Sequence, residues 1–128
     1  MLNVLRQARE AAWARAGHRG VFLALLGCYD IFFGWYLAAG GALQFPTVIP
    51  VMAWGIIWLT AGALLACGAA VKRDAPFFAL AACLKTAWAL EFFRLQAEHG
   101  GLEWIRGAYW LALALIVLAV SAWPEAPA

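Results

Sequence analysis

Long apolar runs separated by short polar segments dominate the chain. The four runs extend over about residues 21–39, 48–71, 76–95 and 107–123. Each is close to the roughly 20 residues that a helix needs to cross the hydrocarbon core of a bilayer. The pattern therefore predicts an all-α membrane protein with four transmembrane helices in an up-down bundle.

The segments that flank the four runs are short. Residues 1–20 contain four arginines, and either an amphipathic helix lying along the membrane interface or a partly ordered basic arm fits this composition. The apolar run that follows is too long for the hydrophobic region of a cleaved signal peptide, so we expect it to be retained as the first span. Residues 124–128 begin with a proline and form a short tail.

Composition supports a membrane protein. Of the 128 residues, 66% are apolar and 12% are charged, and the mean hydropathy is +0.81. These values are too apolar for a soluble domain. The net charge of +2 is small and the basic residues form no face that would fit nucleic acid. The lipid bilayer is therefore the expected environment, and no nucleic-acid partner is expected.

The distribution of lysine and arginine predicts the orientation in the membrane. Four arginines precede the first span, and Lys72 and Arg73 separate the second span from the third. The other two connections hold only Arg106, with Arg94 at their edge. Because short cytoplasmic loops carry the excess of positive charge, we expect both termini on the cytoplasmic side of a bacterial inner membrane.

The first and third runs repeat a phrase. Residues 22–30 and 77–85 share Phe, Ala, Leu and Cys positions when one is shifted by 55 positions onto the other. The same shift places the second run on the fourth, which predicts two tandem helical hairpins related by an axis along the membrane normal. Because Ala, Leu and Gly are so abundant, chance similarity explains the repeat equally well from the sequence alone.

Asp30 in the first copy of the repeat aligns with Lys85 in the second copy. Asp30 lies eleven residues beyond Arg19 and Lys85 lies twelve beyond Arg73, so at about 1.5 Å per residue both are roughly 16 to 18 Å from the cytoplasmic boundary. A charge at that depth costs at least about 2.5 to 3.5 kcal/mol. We therefore predict an ion pair between the first and third spans, either direct or bridged by water. Two roles fit it: a proton or cation site, or a contact that fixes the register of two similar hairpins.

A second group of charges lies near the end of the third span. Glu91 and Arg94 are three residues apart, which predicts an intrahelical pair, and a ligand or partner contact is the functional alternative. Glu98, His99 and Glu103 follow, but their spacing matches no recognised metal site, and a solvated loop is the simpler interpretation. We expect no metal, no cofactor and no enzyme activity, because no nucleophile and base or phosphate loop is present at workable spacing.

Small residues recur at seven-residue steps and predict faces for close helix packing. The glycines of this pattern are Gly20, Gly27 and Gly34 in the first span and Gly55 and Gly62 in the second. A second face of small residues would leave room for self-association. The cysteines Cys28, Cys67 and Cys83 match neither a disulfide framework nor a zinc site, so we expect small buried apolar side chains.

The order of these motifs resembles a known group of proteins. In chain order the motifs are Gly27, Asp30 and Gly34, a tryptophan-rich second span, Lys72-Arg73-Asp74, Leu84-Lys85 with Trp88, and Trp123-Pro124-Glu125. They are similar to those of small four-span membrane proteins encoded by bacteriophages of actinobacteria and by their hosts, many of which are described as holin-like. The tail Glu125–Ala128 departs from the basic tail that is common in holins.

The resemblance implies a non-enzymatic protein that acts by assembling in the membrane, most concretely a holin-like protein whose spans associate through small-residue faces. Its partners would be further copies of the chain. Two alternatives stay open. One is a small ion or proton carrier or channel in which Asp30 titrates, and the other is an accessory subunit that packs against a larger membrane complex.

Overall fold

The computed structural model describes residues 1–40 and 47–124, with the backbone alone at residues 12–16. Four α-helices form this part of the chain: α1 Leu2–Ala38, α2 Val51–Gly68, α3 Ala75–His99 and α4 Glu103–Ser121. All four contain a segment that is long and apolar enough to cross a membrane. The predicted all-α fold is confirmed, and the chain is a multi-pass membrane protein.

The helix α1 is divided at Gly17. This residue has φ 65° and ψ −178°, a conformation almost restricted to glycine, so the basic arm and the membrane-length segment Gly17–Ala38 are joined by a bend. The arm itself is helical from Leu2. The sequence allowed this helix but gave no sign that it would run directly into the first span.

The other helices differ from the predicted spans at their ends. α2 begins three residues later than predicted because Pro50 disfavours helix in the residue before it, and it ends at Gly68, three residues earlier than predicted. α3 continues to His99 and α4 begins at Glu103, both beyond the apolar runs. Polar turns extend these two helices because their side chains pair along the helix, as Arg94 does with Glu98 at 2.7 Å. Gly100 and Gly101, both with positive φ, then separate α3 from α4.

The bundle has two ends. The Gly17 end contains Gly17, Gly68, Ala75 and Ser121, and the Ala38 end contains Ala38, Val51, His99 and Glu103. The amino-terminal arm and Pro124, the last described residue, both adjoin the Gly17 end.

Glycines bring α1 and α2 into backbone contact. A Cβ atom built on Gly27 would lie 2.7 Å from the carbonyl oxygen of Gly62, and one built on Gly34 would lie 2.7 Å from that of Gly55. Both separations are far below van der Waals contact, so only glycine fits. Gly20 is also buried. Four of the five predicted packing glycines, Gly27, Gly34, Gly55 and Gly62, therefore lie between the two helices of the first hairpin.

The second hairpin, α3 and α4, packs through larger groups. A Cβ atom on Gly107 would lie 3.0 Å from the ring of Phe93 and 3.2 Å from the carbonyl oxygen of Ala89. Between the hairpins, the backbones of α2 and α3 approach most closely, while α1 and α3 meet through side chains.

Residues that are 55 positions apart meet along this contact between hairpins. The contacts are the ion pairs Arg19–Asp74 at 2.6 Å and Asp30–Lys85 at 3.0 Å and the rings Phe33–Trp88 at 5.8 Å between centroids. A residue touches its own equivalent only next to the axis that relates the two copies. The sequence repeat therefore has a structural counterpart, two parallel hairpins about a pseudo-two-fold axis.

The core has two halves of different character. Buried residues of the half toward the Ala38 end are rich in tryptophan: Leu37, Trp54, Trp58, Ala61, Leu84, Trp88, Ala89, Phe92, Leu95 and Trp110. Those of the half toward the Gly17 end include no tryptophan: Leu23, Leu65, Phe78, Ala81, Ala82 and Val117. The Asp30–Lys85 pair lies between the two.

The outer surface is apolar, as lipid requires. Large side chains such as Phe32, which is 75% exposed, and Leu115, which is 60% exposed, project from it. Cys28, Cys67 and Cys83 also lie on this surface. The prediction that the cysteines are buried was wrong, because lipid is itself apolar and provides no drive to move a small apolar side chain inside.

Candidate functional site

The buried pair Asp30–Lys85 is the strongest candidate site. Asp30 lies in the middle of the membrane-length part of α1 and Lys85 lies in the middle of α3, and both side chains are 0% exposed. Lys85 Nζ is 3.0 Å from Asp30 Oδ1 and 3.0 Å from Oδ2. Of the two geometries predicted from the sequence, the structure has the direct one. Each charge neutralises the other in a region where water cannot solvate either.

Aromatic rings cover the pair on its Ala38 side. Lys85 Nζ lies 5.1 Å from the ring centroid of Trp58, a cation–π contact. Phe33 lies one turn from Asp30, with its ring centroid 4.8 Å from that of Trp58 and 5.8 Å from that of Trp88. The ammonium group is therefore held between a carboxylate and an electron-rich ring face.

Three tryptophans of this region have indole N–H groups with no acceptor among the described residues. They are Trp54, Trp58 and Trp88, which are 5%, 0% and 1% exposed. Trp54 and Trp58 are four residues apart and share the buried face of α2. Sequence reasoning missed their approach to Trp88 on another helix, and the only available signal was the depth of Trp88 beside Lys85.

Glu91 and Arg94 form the predicted pair on α3. Arg94 donates from Nε at 3.1 Å and from Nη2 at 3.0 Å to Glu91 Oε2. Glu91 is 8% exposed and also accepts the backbone N–H of Val48 at 3.2 Å. Arg94 contacts Glu98 as well. This network is therefore a link between α3 and the residues before α2, in addition to being an intrahelical pair.

The remaining residues considered as ligands do not come together. Glu103 lies 3.4 Å from Arg106 on its own helix, and His99 contacts Glu98 at 3.8 Å. Across residues 1–40 and 47–124, no three His, Cys, Asp or Glu side chains are close enough to hold a metal ion.

Arg19 and Asp74 form an ion pair that sequence reasoning missed. Arg19 Nη2 donates to Asp74 Oδ1 at 2.6 Å, and the Arg19 guanidinium lies 5.2 Å from the ring centroid of Phe78. The signal was available, because the 55-position shift that places Asp30 on Lys85 also places Arg19 on Asp74. The sequence analysis used only the positive charges of Lys72 and Arg73 in this basic turn, so the anion beside them was overlooked.

Comparison of the chain with protein-family models, with curated proteins and with solved structures gives no significant match. Its function is therefore inferred from the geometry alone. The Asp30–Lys85 pair is a neutralised carboxylate and ammonium group buried within an apolar bundle.

Proposed function

We propose that the chain is a non-enzymatic integral membrane protein that acts by assembling in the membrane, most concretely as a holin-like protein. The observation that carries the proposal is charge neutralisation within the chain. In the described part of the four membrane-length segments, every Asp, Glu, Lys and Arg side chain belongs to an ion pair. The pairs are Arg19–Asp74, Asp30–Lys85, Glu91–Arg94, Arg94–Glu98 and Glu103–Arg106.

Because the bundle neutralises its own charges, its outer surface is the part that can contact other proteins. That surface is formed largely by α1, α2 and α4, each of which exposes large apolar side chains. Association would use these faces, because the glycines Gly27, Gly34, Gly55 and Gly62 are already engaged between α1 and α2. This proposal differs from assembly through glycine faces, which the sequence favoured.

Inducible expression in a bacterium tests the proposal. Expression should produce an abrupt loss of membrane potential, measured with a voltage-sensitive dye, followed by loss of viable cells. The control is Gly62→Leu at equal expression, which should leave the potential intact because the first hairpin cannot close. Continued growth with normal potential at full expression of the native chain would contradict the proposal.

The proposed orientation places both termini in the cytoplasm. The basic arm and Lys72 with Arg73 all lie at the Gly17 end, which concentrates positive charge on one side of the bundle. Reporter fusions to each terminus should therefore be fluorescent with a cytoplasmic green fluorescent protein and inactive with a periplasmic phosphatase. Phosphatase activity at both termini would show the opposite orientation. Activity at one terminus alone would place the two termini on opposite sides of the membrane.

A small proton or cation carrier is the second candidate. It is favoured by the position of Asp30 and Lys85 at mid-depth on the interface between two structural repeats, where transporter sites lie. In liposomes, Asp30→Asn should then abolish pH-driven flux while Glu91→Gln retains it. Flux that is unchanged in Asp30→Asn excludes this candidate. Co-purification with a larger complex in mild detergent, without depolarisation, would instead indicate an accessory subunit.

A further inference from the structure

We propose that the Ala38 half of the bundle binds internal water molecules, which connect the Asp30–Lys85 pair to the Ala38 end, and that the Gly17 half is dry. This inference does not depend on whether the protein assembles, transports or serves another complex. The proposal predicts that water reaches the buried pair from the Ala38 end and not from the Gly17 end.

The Ala38 half contains three buried donors without an acceptor among the described residues. The indole N–H groups of Trp54, Trp58 and Trp88 have no acceptor among the described residues, although all three side chains are at least nine-tenths buried. A buried donor without an acceptor is strongly disfavoured, and more so in a membrane than in water. Three such donors in neighbouring rings need an acceptor, and no oxygen or nitrogen atom of the described residues provides one.

The Asp30 carboxylate has a capacity to accept hydrogen bonds that Lys85 does not use up. An ionised carboxylate accepts about four hydrogen bonds, but among the described residues Asp30 receives only the two from Lys85 Nζ. Water is the ligand that accepts from an indole N–H and donates to a carboxylate at the same time. The surplus donors and the surplus acceptor positions are therefore complementary through water.

The three tryptophans lie one after another between the ion pair and the Ala38 end. Lys85 Nζ lies over the ring of Trp58. The ring centroids of Trp58 and Trp88 are 6.1 Å apart, and those of Trp88 and Trp54 are 5.0 Å apart. Trp54 is in the first turn of α2, at the Ala38 end. The unmatched donors therefore form a connected series from the ion pair to one end of the bundle.

Glu91 lies beside this series on α3. It is three residues after Trp88 and is buried. Its Oε1 atom accepts the backbone N–H of Val48, at the approach to α2. A carboxylate near the opening of the series provides a further acceptor for water.

The Gly17 half has no comparable groups. The buried core residues of that half are Leu23, Leu65, Phe78, Ala81, Ala82 and Val117, with Leu26 packed against them. Among the described residues, the buried side-chain donor without an acceptor in this half is Arg19 Nε, at the far boundary next to Asp74. The aliphatic half therefore separates the ion pair from the Gly17 end.

Nuclear magnetic resonance on the native chain in lipid nanodiscs tests the proposal. Each indole N–H gives its own signal, and the signals of Trp54, Trp58 and Trp88 are assigned by the loss of one peak in each Trp→Phe variant. All three should show magnetisation transfer from water, as should the interfacial Trp104, which is 50% exposed. Transfer at Trp104 with none at the three buried indoles would overturn the proposal, because their N–H groups would then be closed on neighbouring ring faces.

A pair of cysteine variants tests the asymmetry. The three native cysteines are replaced by alanine, and a single cysteine is introduced at Phe33 or at Leu26, one turn from Asp30 on either side along α1. A small water-soluble methanethiosulfonate should modify Phe33→Cys at least about tenfold faster than Leu26→Cys, because only a hydrated thiol ionises readily. Equal rates, or faster modification of Leu26→Cys, would contradict a dry Gly17 half.

Discussion

The ion pair between Asp30 and Lys85 shows how a single residue depends on its partner in this environment. Both groups are fully buried, and each has the other as its counter-charge. The net stability that such a pair contributes is small, because removing two charges from solvent costs nearly as much as their attraction returns. Removing one partner is different, since it leaves an uncompensated charge. The pair therefore matters more for which helices meet than for how strongly they adhere.

Removing one charge should thus be worse than removing both. Lys85→Met should lower the free energy of unfolding by about 3 to 5 kcal/mol, whereas Asp30→Asn combined with Lys85→Met should lower it by clearly less. Unfolding in mixed micelles of mild detergent and dodecyl sulfate, followed by circular dichroism, measures both.

The matched control for this comparison is Arg6→Met, which breaks the exposed pair Arg6–Glu10. That pair has side chains 70% and 60% exposed, so its loss should change stability by at most about 0.5 kcal/mol. A double variant whose loss of stability equals the sum of the losses in Asp30→Asn and Lys85→Met would show that the two residues are not energetically coupled.

The helix–helix contacts differ in kind between elements. α1 and α2 approach to backbone contact at their glycines, while α1 and α3 meet through long side chains and rings. In lipid, close approach is valuable because dispersion forces and interhelical contact replace the hydrophobic effect as the source of association. The first hairpin is therefore the more tightly packed unit, and the contact between hairpins is the more polar one.

A larger side chain at Gly62 should separate α1 from α2. Gly62→Leu should lower the free energy of unfolding by about 1 to 3 kcal/mol or more, because its Cβ alone would lie 2.7 Å from the Gly27 carbonyl oxygen. Ala63→Leu is the control on the next residue, which faces outward, and should be nearly neutral. The same unfolding assay compares them, and equal losses would place the close contact elsewhere.

The whole molecule combines two similar hairpins whose charges are opposite. The first hairpin contributes a cation at Arg19 and an anion at Asp30, and the second contributes Asp74 and Lys85 in the reverse order. Two copies of the first hairpin placed in this arrangement would bring like charges together at both levels. The ion pairs therefore select pairing between different hairpins over pairing between identical ones.

Exchanging the charges of both hairpins should preserve this selection. The quadruple variant Arg19→Asp, Asp30→Lys, Asp74→Arg and Lys85→Asp should fold, whereas Arg19→Asp with Asp30→Lys alone should not, since like charges would then meet at both levels. Monodisperse elution and helix content in mild detergent report the difference. Failure of the quadruple variant together with survival of the double variant would contradict the pairing across the pseudo-two-fold axis.

The sequence by itself determined the number of helices, the depth of Asp30 and Lys85, and the pairing of Glu91 with Arg94. These follow from the length of apolar runs and from spacing along one helix, which are local properties. The 55-position repeat also contained the contact between Arg19 and Asp74, although the basic turn around it obscured the anion.

Only the tertiary structure decided which apolar faces are inside. It placed the glycines between α1 and α2, brought Trp88 to Trp54 and Trp58, and left the cysteines outside. In water, an alternation of polar and apolar residues marks the inner face of a helix. In lipid both faces are apolar, so the sequence has almost no pattern that separates the core from the surface, and packing alone makes that choice.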